Sequence, residues 1–214
     1  EYQDKALGLA GRYLEYLGTK DMTSEEIQRA FYEMACGFSV SPGSERTYIR
    51  LTGLQENMPK AVALLEKLLA EAQVNAEAYQ NLVSNELKAR QDAKLSQSEN
   101  FKRVRAYAQY GPKNPFTNIL SEKELKGMNP QELVDRLHGL TSYKHRVMYY
   151  GPASQEELVA LLKAEHKVPE TLKELPVVEE MTYQEAPKTR IFVAPYVAQQ
   201  VYVSQFSNRK EAYD

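Results

Sequence analysis

Catalysis and metal binding need donor atoms, and this chain of 214 residues offers few of the strongest. It carries three histidines, His138, His145 and His166, and one cysteine, Cys36. No histidine has another at the short helical spacing of a zinc site, and the HExxH and HxxEH patterns are both absent. The plain expectation is that His166 complements a helix C-terminus and that His138 and His145 are surface or cap residues. Cys36 follows an apolar helical stripe, where a buried, inert thiol is expected. No GxSxG elbow and no glycine-rich phosphate loop occurs; Gly8-Leu-Ala-Gly11 is too short and falls within a helical stretch. Glu25 and Glu26 suit a helix N-terminus, Glu86 reads as a solvated mid-helix side chain, and Glu179 and Glu180 fall in a linker. Tyrosine is abundant, with 15 copies and no tryptophan. Tyr107, Tyr110, Tyr143, Tyr149 and Tyr150 would suit a peptide-binding surface, though half-burial at a sheet edge is the simpler reading. The residue chemistry alone names no reaction.

Bulk properties narrow the classes further. The formal net charge is -2, and the most basic run, Phe101 to Arg105, is too short for a phosphate track; it reads as a solvated helix face, and nucleic acid is not an expected partner. A single cysteine rules out a disulfide within the chain and disfavours a thiolate zinc site. No stretch approaches the ~18 apolar residues of a membrane span. The first residues lack a cationic start, a cleavage site and an initiator methionine, as expected of a piece of a longer chain. Bacterial periplasm and cytoplasm both fit.

The elements that must position these residues follow from periodicity. Ala6, Leu9, Ala10, Tyr13, Leu14 and Leu17 recur at helical steps, with Gly18 as the stop. Thr23 and Glu26 form a capping box for a helix whose stripe is Ile27, Ala30, Phe31 and Met34. Phe38 and Val40 alternate, as do Thr47, Ile49 and Leu51 in a run starting at Glu45. Pro42, Gly43 and Ser44 supply the turn of an antiparallel hairpin. Asn57 is placed to cap a helix with Pro59 in its first turn, burying Ala61, Leu64, Leu65, Leu68 and Leu69. Asn75 opens a long polar helix reaching about Ser96. Ser98 to Tyr110 forms another, closed by Gly111-Pro112, and a Pro- and Asn-rich loop runs from Pro112 to Leu120. Asn129-Pro130 begins a helix with Leu133, Leu137 and Leu140 on one side. His145 to Tyr150 reads as a strand, then Gly151-Pro152, then a helix capped by Ser154 and Glu157. Pro169, Pro176 and Pro187 punctuate an acidic stretch read as an extended linker. Arg190 to Ala194 and Gln200 to Phe206 read as strands. The expected organisation is a domain over 1–166, a linker over 167–188 and the start of a following, truncated domain over 189–214.

The landmarks Gly18-Thr19, Thr23-Ser-Glu-Glu-Ile27, Gly37-Phe-Ser-Val-Ser41, Thr47-Tyr-Ile-Arg-Leu51 and Glu56-Asn-Met-Pro-Lys-Ala61 occur in an order that resembles pitrilysin/insulinase-type zinc metallopeptidases. The resemblance runs over roughly residues 5–165. It implies an α+β fold in which helices pack on an antiparallel sheet, a metallopeptidase-like (LuxS/processing-peptidase-like) domain. The family's domains begin with strands before the first helix; this chain starts at the helix, so those strands are missing or Arg190–Phe206 takes an equivalent edge.

Counting back nine positions from Gly18 puts the family's zinc motif at Leu9, Arg12 and Tyr13. Leu9 is no metal ligand. Arg12 holds its charge at accessible pH and is no general base. Glu86 corresponds to the third ligand, and one carboxylate without the histidines makes no stable zinc site. The resemblance therefore implies a non-catalytic domain of the second half of a zinc peptidase, with no catalytic residue and no cofactor in this chain. Zinc would sit in the catalytic half, on the same polypeptide or a partner subunit, and peptides would be the substrates. A peptidase-derived scaffold or a peptide-binding subunit with no proteolytic role is the alternative.

Overall fold

The computed structural model describes residues 4–42, 46–177 and 181–207. The hairpin turn residues Gly43 and Ser44, the strand residue Glu45 and the linker residues Glu179 and Glu180 lie outside the described residues. So does the tail from Asn208. Within them the chain is α+β, with helices α1 (Leu7–Leu14), α2 (Ser24–Glu33), α3 (Met58–Glu71), α4 (Ala76–Lys94), α5 (Gln97–Tyr110), α6 (Glu122–Gly127), α7 (Gln131–His138) and α8 (Gln155–Glu165). Strands β1 (Cys36–Pro42) and β2 (Thr47–Gly53) form one antiparallel pair, in which Val40 faces Ile49 and Phe38 faces Leu51.

The chain divides into two compact units: Gln3–Leu82 with Gly127–Val178, and Val83–Lys126 with Glu179–Asp214. The first is built on apolar stripes at helical spacing. Leu9, Ala10, Tyr13 and Leu14 of α1, Ile27 and Phe31 of α2, Ala61, Leu65, Leu68 and Leu69 of α3, and Leu133, Val134 and Leu137 of α7 are all buried. Burying each large aliphatic side chain contributes about 1.5–3 kcal/mol. A two-stranded ribbon is marginal alone, and here β1 leans on α1 and α2. Gly11 makes the helix–strand approach possible: a Cβ there would sit 3.0 Å from Val40 Cγ1 and 3.1 Å from its carbonyl oxygen. Phe31 packs on Phe38 at 4.9 Å.

Local polar chemistry starts the helices. Thr23 Oγ1 accepts from Glu26 N–H at 3.2 Å while Thr23 N–H donates to the Glu26 carboxylate at 2.8 Å. Ser154 and Glu157 repeat the pattern on α8. Asn75 Oδ1 accepts from Ala78 N–H at the start of α4. A third reciprocal pair, Ser121 with Glu124, opens α6, a short helix beyond the Pro112–Leu120 loop in a stretch to which the periodicity assigns no element. Ala35, between α2 and β1, takes φ +49°, a left-handed conformation a glycine adopts at less cost.

The second unit has a different construction. Val83, Ala106, Leu120 and Leu125 are its buried apolar residues among those described. Gly111 closes α5 at φ +79°. The following loop winds around buried Asn114, whose amide donates to the Gly111 carbonyl at 2.8 Å and whose Oδ1 accepts from Phe116 N–H at 3.0 Å. The segment Met181 to Ser207 lies along α5: Tyr183 stacks on Tyr110, Phe192 meets Tyr107 edge-on, and Tyr202 tilts against Phe101.

Several sequence expectations are corrected. Helix α1 ends at Leu14 rather than at Gly18, with Tyr16 N–H and Leu17 N–H bonding back in tight turns. Asn57 does not cap α3; its amide donates to the Met34 carbonyl at 2.8 Å. His145 to Tyr150 is not a strand. Pairing occurs just before it, where Tyr143 bridges Lys173 in parallel, and no neighbouring strand among the described residues continues that ladder. Side chains pin the run instead: Tyr149 Oη donates to Gln55 Oε1 at 2.6 Å and accepts from Ala153 N–H at 2.9 Å. Arg190 to Ala194 and Gln200 to Phe206 carry no strand pairing among the described residues.

Candidate functional site

On α1, the positions to which the resemblance assigns a zinc motif hold Leu9, Arg12 and Tyr13. Leu9 is buried and Arg12 lies on the exposed face. Tyr13 is 0% exposed and its hydroxyl is already committed: it donates to the Asn75 carbonyl at 2.7 Å and accepts from Asn75 N–H at 3.0 Å. Its ring meets Tyr79 edge-on at 5.7 Å. Burial pushes the phenol pKa up, against a smaller opposing effect of the Asn75 hydrogen bond. Tyr13 thus pins α1 to the start of α4. An apolar side chain, a cation and a saturated phenol do not fit a divalent metal.

Glu86 lies on α4 in the second unit. Its carboxylate takes Arg90 Nε at 2.8 Å, with side-chain exposures of 16% and 22%, and Arg90 also donates to the Leu120 carbonyl at 2.6 Å. The expectation of a solvated side chain is corrected: Glu86 is a half-buried member of an ion pair that ties α4 to the segment before α6.

The remaining candidates are distributed. Cys36 is half-buried rather than buried, with its Sγ 3.4 Å from the Met34 carbonyl oxygen. It lines a shallow open depression of about 290 Å³ together with Glu15, Gln28, Phe31, Tyr32, Gly37 and Phe38. Of the five tyrosines, Tyr107 and Tyr110 belong to the second unit and Tyr143, Tyr149 and Tyr150 to the first. None lies at a sheet edge among the described residues, and each of the first four has its own partner. Of the basic run, Lys102 and Arg105 are exposed, whereas Arg103 sits over the Phe116 ring at 5.1 Å.

One constellation escaped the sequence. His138 stands apart, with Nε2 at 3.1 Å from the Ala72 carbonyl oxygen. His145 and His166, by contrast, meet: their Nε2 atoms are 2.8 Å apart and their rings are perpendicular. Behind them, His145 Nδ1 lies 2.6 Å from the Tyr143 carbonyl oxygen and His166 Nδ1 lies 2.6 Å from Glu66 Oε1. Twenty-one residues separate the two histidines, and Glu66 is on α3, so no local spacing signalled the group. His166 does occupy the C-cap of α8, but its ring turns to Glu66. Among the described residues no group of three or more His, Cys, Asp or Glu side chains is placed to hold a metal. No described helix is long and apolar enough to cross a membrane.

The fold is shared with solved proteases. The periplasmic protease PqqL from Escherichia coli matches with a TM-score of 0.65 at 14% identity, over 86% of this chain and 20% of PqqL. The ferredoxin protease FusC, solved as a point mutant in complex with Arabidopsis ferredoxin, matches at 0.65 and 13% identity, over 83% of this chain and 20% of FusC. A protease from Helicobacter pylori matches at 0.58 and 13% identity, over 84% and 44%. The chain spans about a fifth of the length of the first two. No family model and no curated protein matches. The chain therefore shares its α+β fold with these proteases, in keeping with the fold that the resemblance implied.

Proposed function

We propose that this chain is a non-catalytic module of a zinc-dependent metalloendopeptidase, forming wall in the peptide-degrading chamber and helping to position substrate. The observation that carries the reading is the state of α1: a helix in a protease-type fold whose motif positions hold Leu9, Arg12 and Tyr13, with Tyr13 already saturated by Asn75. In this reading the chain supplies steric selection, and zinc with its activated water belongs to a catalytic half on the same polypeptide or a partner subunit. Peptides are the substrates.

The division into a domain over 1–166, a linker over 167–188 and the start of a further domain over 189–214 belongs to the same proposal. Ile191, Val193, Val201 and Val203 are 80–85% exposed while the interleaved Phe192 and Tyr202 turn toward α5. That alternation has the period of strands with one face uncovered, which supports their assignment to a sheet completed elsewhere.

The test is complementation. The chain is mixed with a zinc-bearing half from the same peptidase, and cleavage of an unstructured fluorogenic peptide is followed. Zinc-dependent turnover that requires both parts is the expected result. Stable association of the chain with partners that carry no zinc, and no gain of turnover with any catalytic half, would replace this reading with a scaffold.

A further inference from the structure

The row Tyr143 carbonyl, His145, His166, Glu66 has its two rings held from outside. The Tyr143 carbonyl can only accept, so His145 Nδ1 donates to it at 2.6 Å. Glu66 Oε1 takes His166 Nδ1 at 2.6 Å. With both Nδ1 atoms engaged, the two Nε2 atoms are turned toward each other, 2.8 Å apart.

We propose that the space between these two nitrogens is a binding site for a borderline transition-metal cation, Zn²⁺, Ni²⁺ or Cu²⁺, held by His145 Nε2 and His166 Nε2. Each ring already has the outer partner that metal-bound imidazoles use, a backbone carbonyl for one and a carboxylate for the other, fixing both tautomers with Nε2 free to coordinate. Ligand distances of about 2.0–2.1 Å at a tetrahedral angle separate two nitrogens by about 3.3 Å. The pair must open by roughly 0.5 Å from its present spacing, a small displacement for His145, whose side chain is exposed. Two protein ligands leave the rest of the shell to water, so the site is open and exchangeable.

Its electrostatic setting is mixed. Glu66, 18% exposed, faces it from α3, and Lys144 beside it is engaged by Glu174. Arg146 and Lys167 are the flanking cations in sequence. The ion would sit between the two Nε2 atoms and leave both Nδ1 hydrogen bonds in place. It would tie the segment after α7 to the end of α8. Imidazole-only coordination excludes Ca²⁺ and Mg²⁺, which prefer oxygen. The site is independent of the zinc-motif positions on α1.

The test is titration of the untagged chain with Zn²⁺ by calorimetry, with Ca²⁺ as control. Histidine ring nitrogens are followed by NMR in parallel. Expected are one Zn²⁺ bound per chain, shifts at the Nε2 resonances of His145 and His166, and no response to Ca²⁺. His145→Gln and His166→Gln should each abolish binding, Glu66→Gln should weaken it about tenfold, and His138→Gln should bind as the unaltered chain does. Helical circular dichroism in chelator verifies that the variants fold. Absence of Zn²⁺ binding at millimolar concentration, or binding that survives in both His145→Gln and His166→Gln, would overturn the proposal.

Discussion

The two units of this chain are stabilised by different means. The first buries a continuous set of aliphatic and aromatic side chains from α1, α2, α3 and α7. The second buries few, and relies on polar ties: the Glu86–Arg90 pair, the Asn114-centred loop, and an aromatic row against the extended segment from Met181 to Ser207. Helix α1 has five buried residues out of eight, Leu9, Ala10, Gly11, Tyr13 and Leu14. Tyr13 shows how that helix is held: its phenol satisfies both backbone groups of Asn75 and fills the core.

That contrast can be broken or sharpened in a definite order. Tyr13→Ala removes a fully buried ring and its two hydrogen bonds and should cost about 3–5 kcal/mol, seen as an early denaturant midpoint for the first unit. Tyr13→Phe keeps the ring and orphans the Asn75 N–H and carbonyl, for a loss of about 1–3 kcal/mol by the same measurement. An equal loss from the two variants would mean that the hydrogen bonds, and not the packing, hold α1. Asn114→Ala should act locally: hydrogen exchange should quicken through residues 111–118 while amides of α1 and α3 stay protected. Exchange quickening in both units alike would erase the distinction between them.

Two smaller effects follow. Burial raises the pKa values of Tyr13 and Tyr79 above the usual 10.0. The folded chain then keeps protons that the unfolded chain has lost, so this contribution is complete below about pH 10 and falls away as the pH rises through the folded values. Urea midpoints measured from about pH 9 upward should decline, and less steeply in Tyr79→Phe. Smallest is Ala35→Gly. It relieves a left-handed alanine at φ +49° and should add about 0.5–1 kcal/mol, offset in part by the greater freedom of glycine in the unfolded chain.

What was legible in the sequence was local. The capping boxes at Thr23 and Ser154, the register-compatible alternation of β1 and β2, and the apolar stripes of α3 and α7 follow from spacing, because neighbours on one helix or one hairpin determine them. Tertiary context decided the rest. His145 to Tyr150 has a strand-forming composition but no partner ladder among the described residues, and its side chains are claimed by Gln55 and His166. Glu86 looked solvated because it lies mid-helix among polar neighbours; its pairing with Arg90, which also reaches the Leu120 carbonyl thirty residues away, is a tertiary feature. The His145–His166–Glu66 row joins three separate segments and had no signature in spacing at all.

In the proposed role the chain contributes shape and not chemistry to peptide cleavage. The decisive measurement is turnover of an unstructured fluorogenic peptide by the chain alone, with and without chelator. No turnover above the blank is expected in either condition, including after saturation with Zn²⁺. Chelator-sensitive hydrolysis by the chain alone would contradict it.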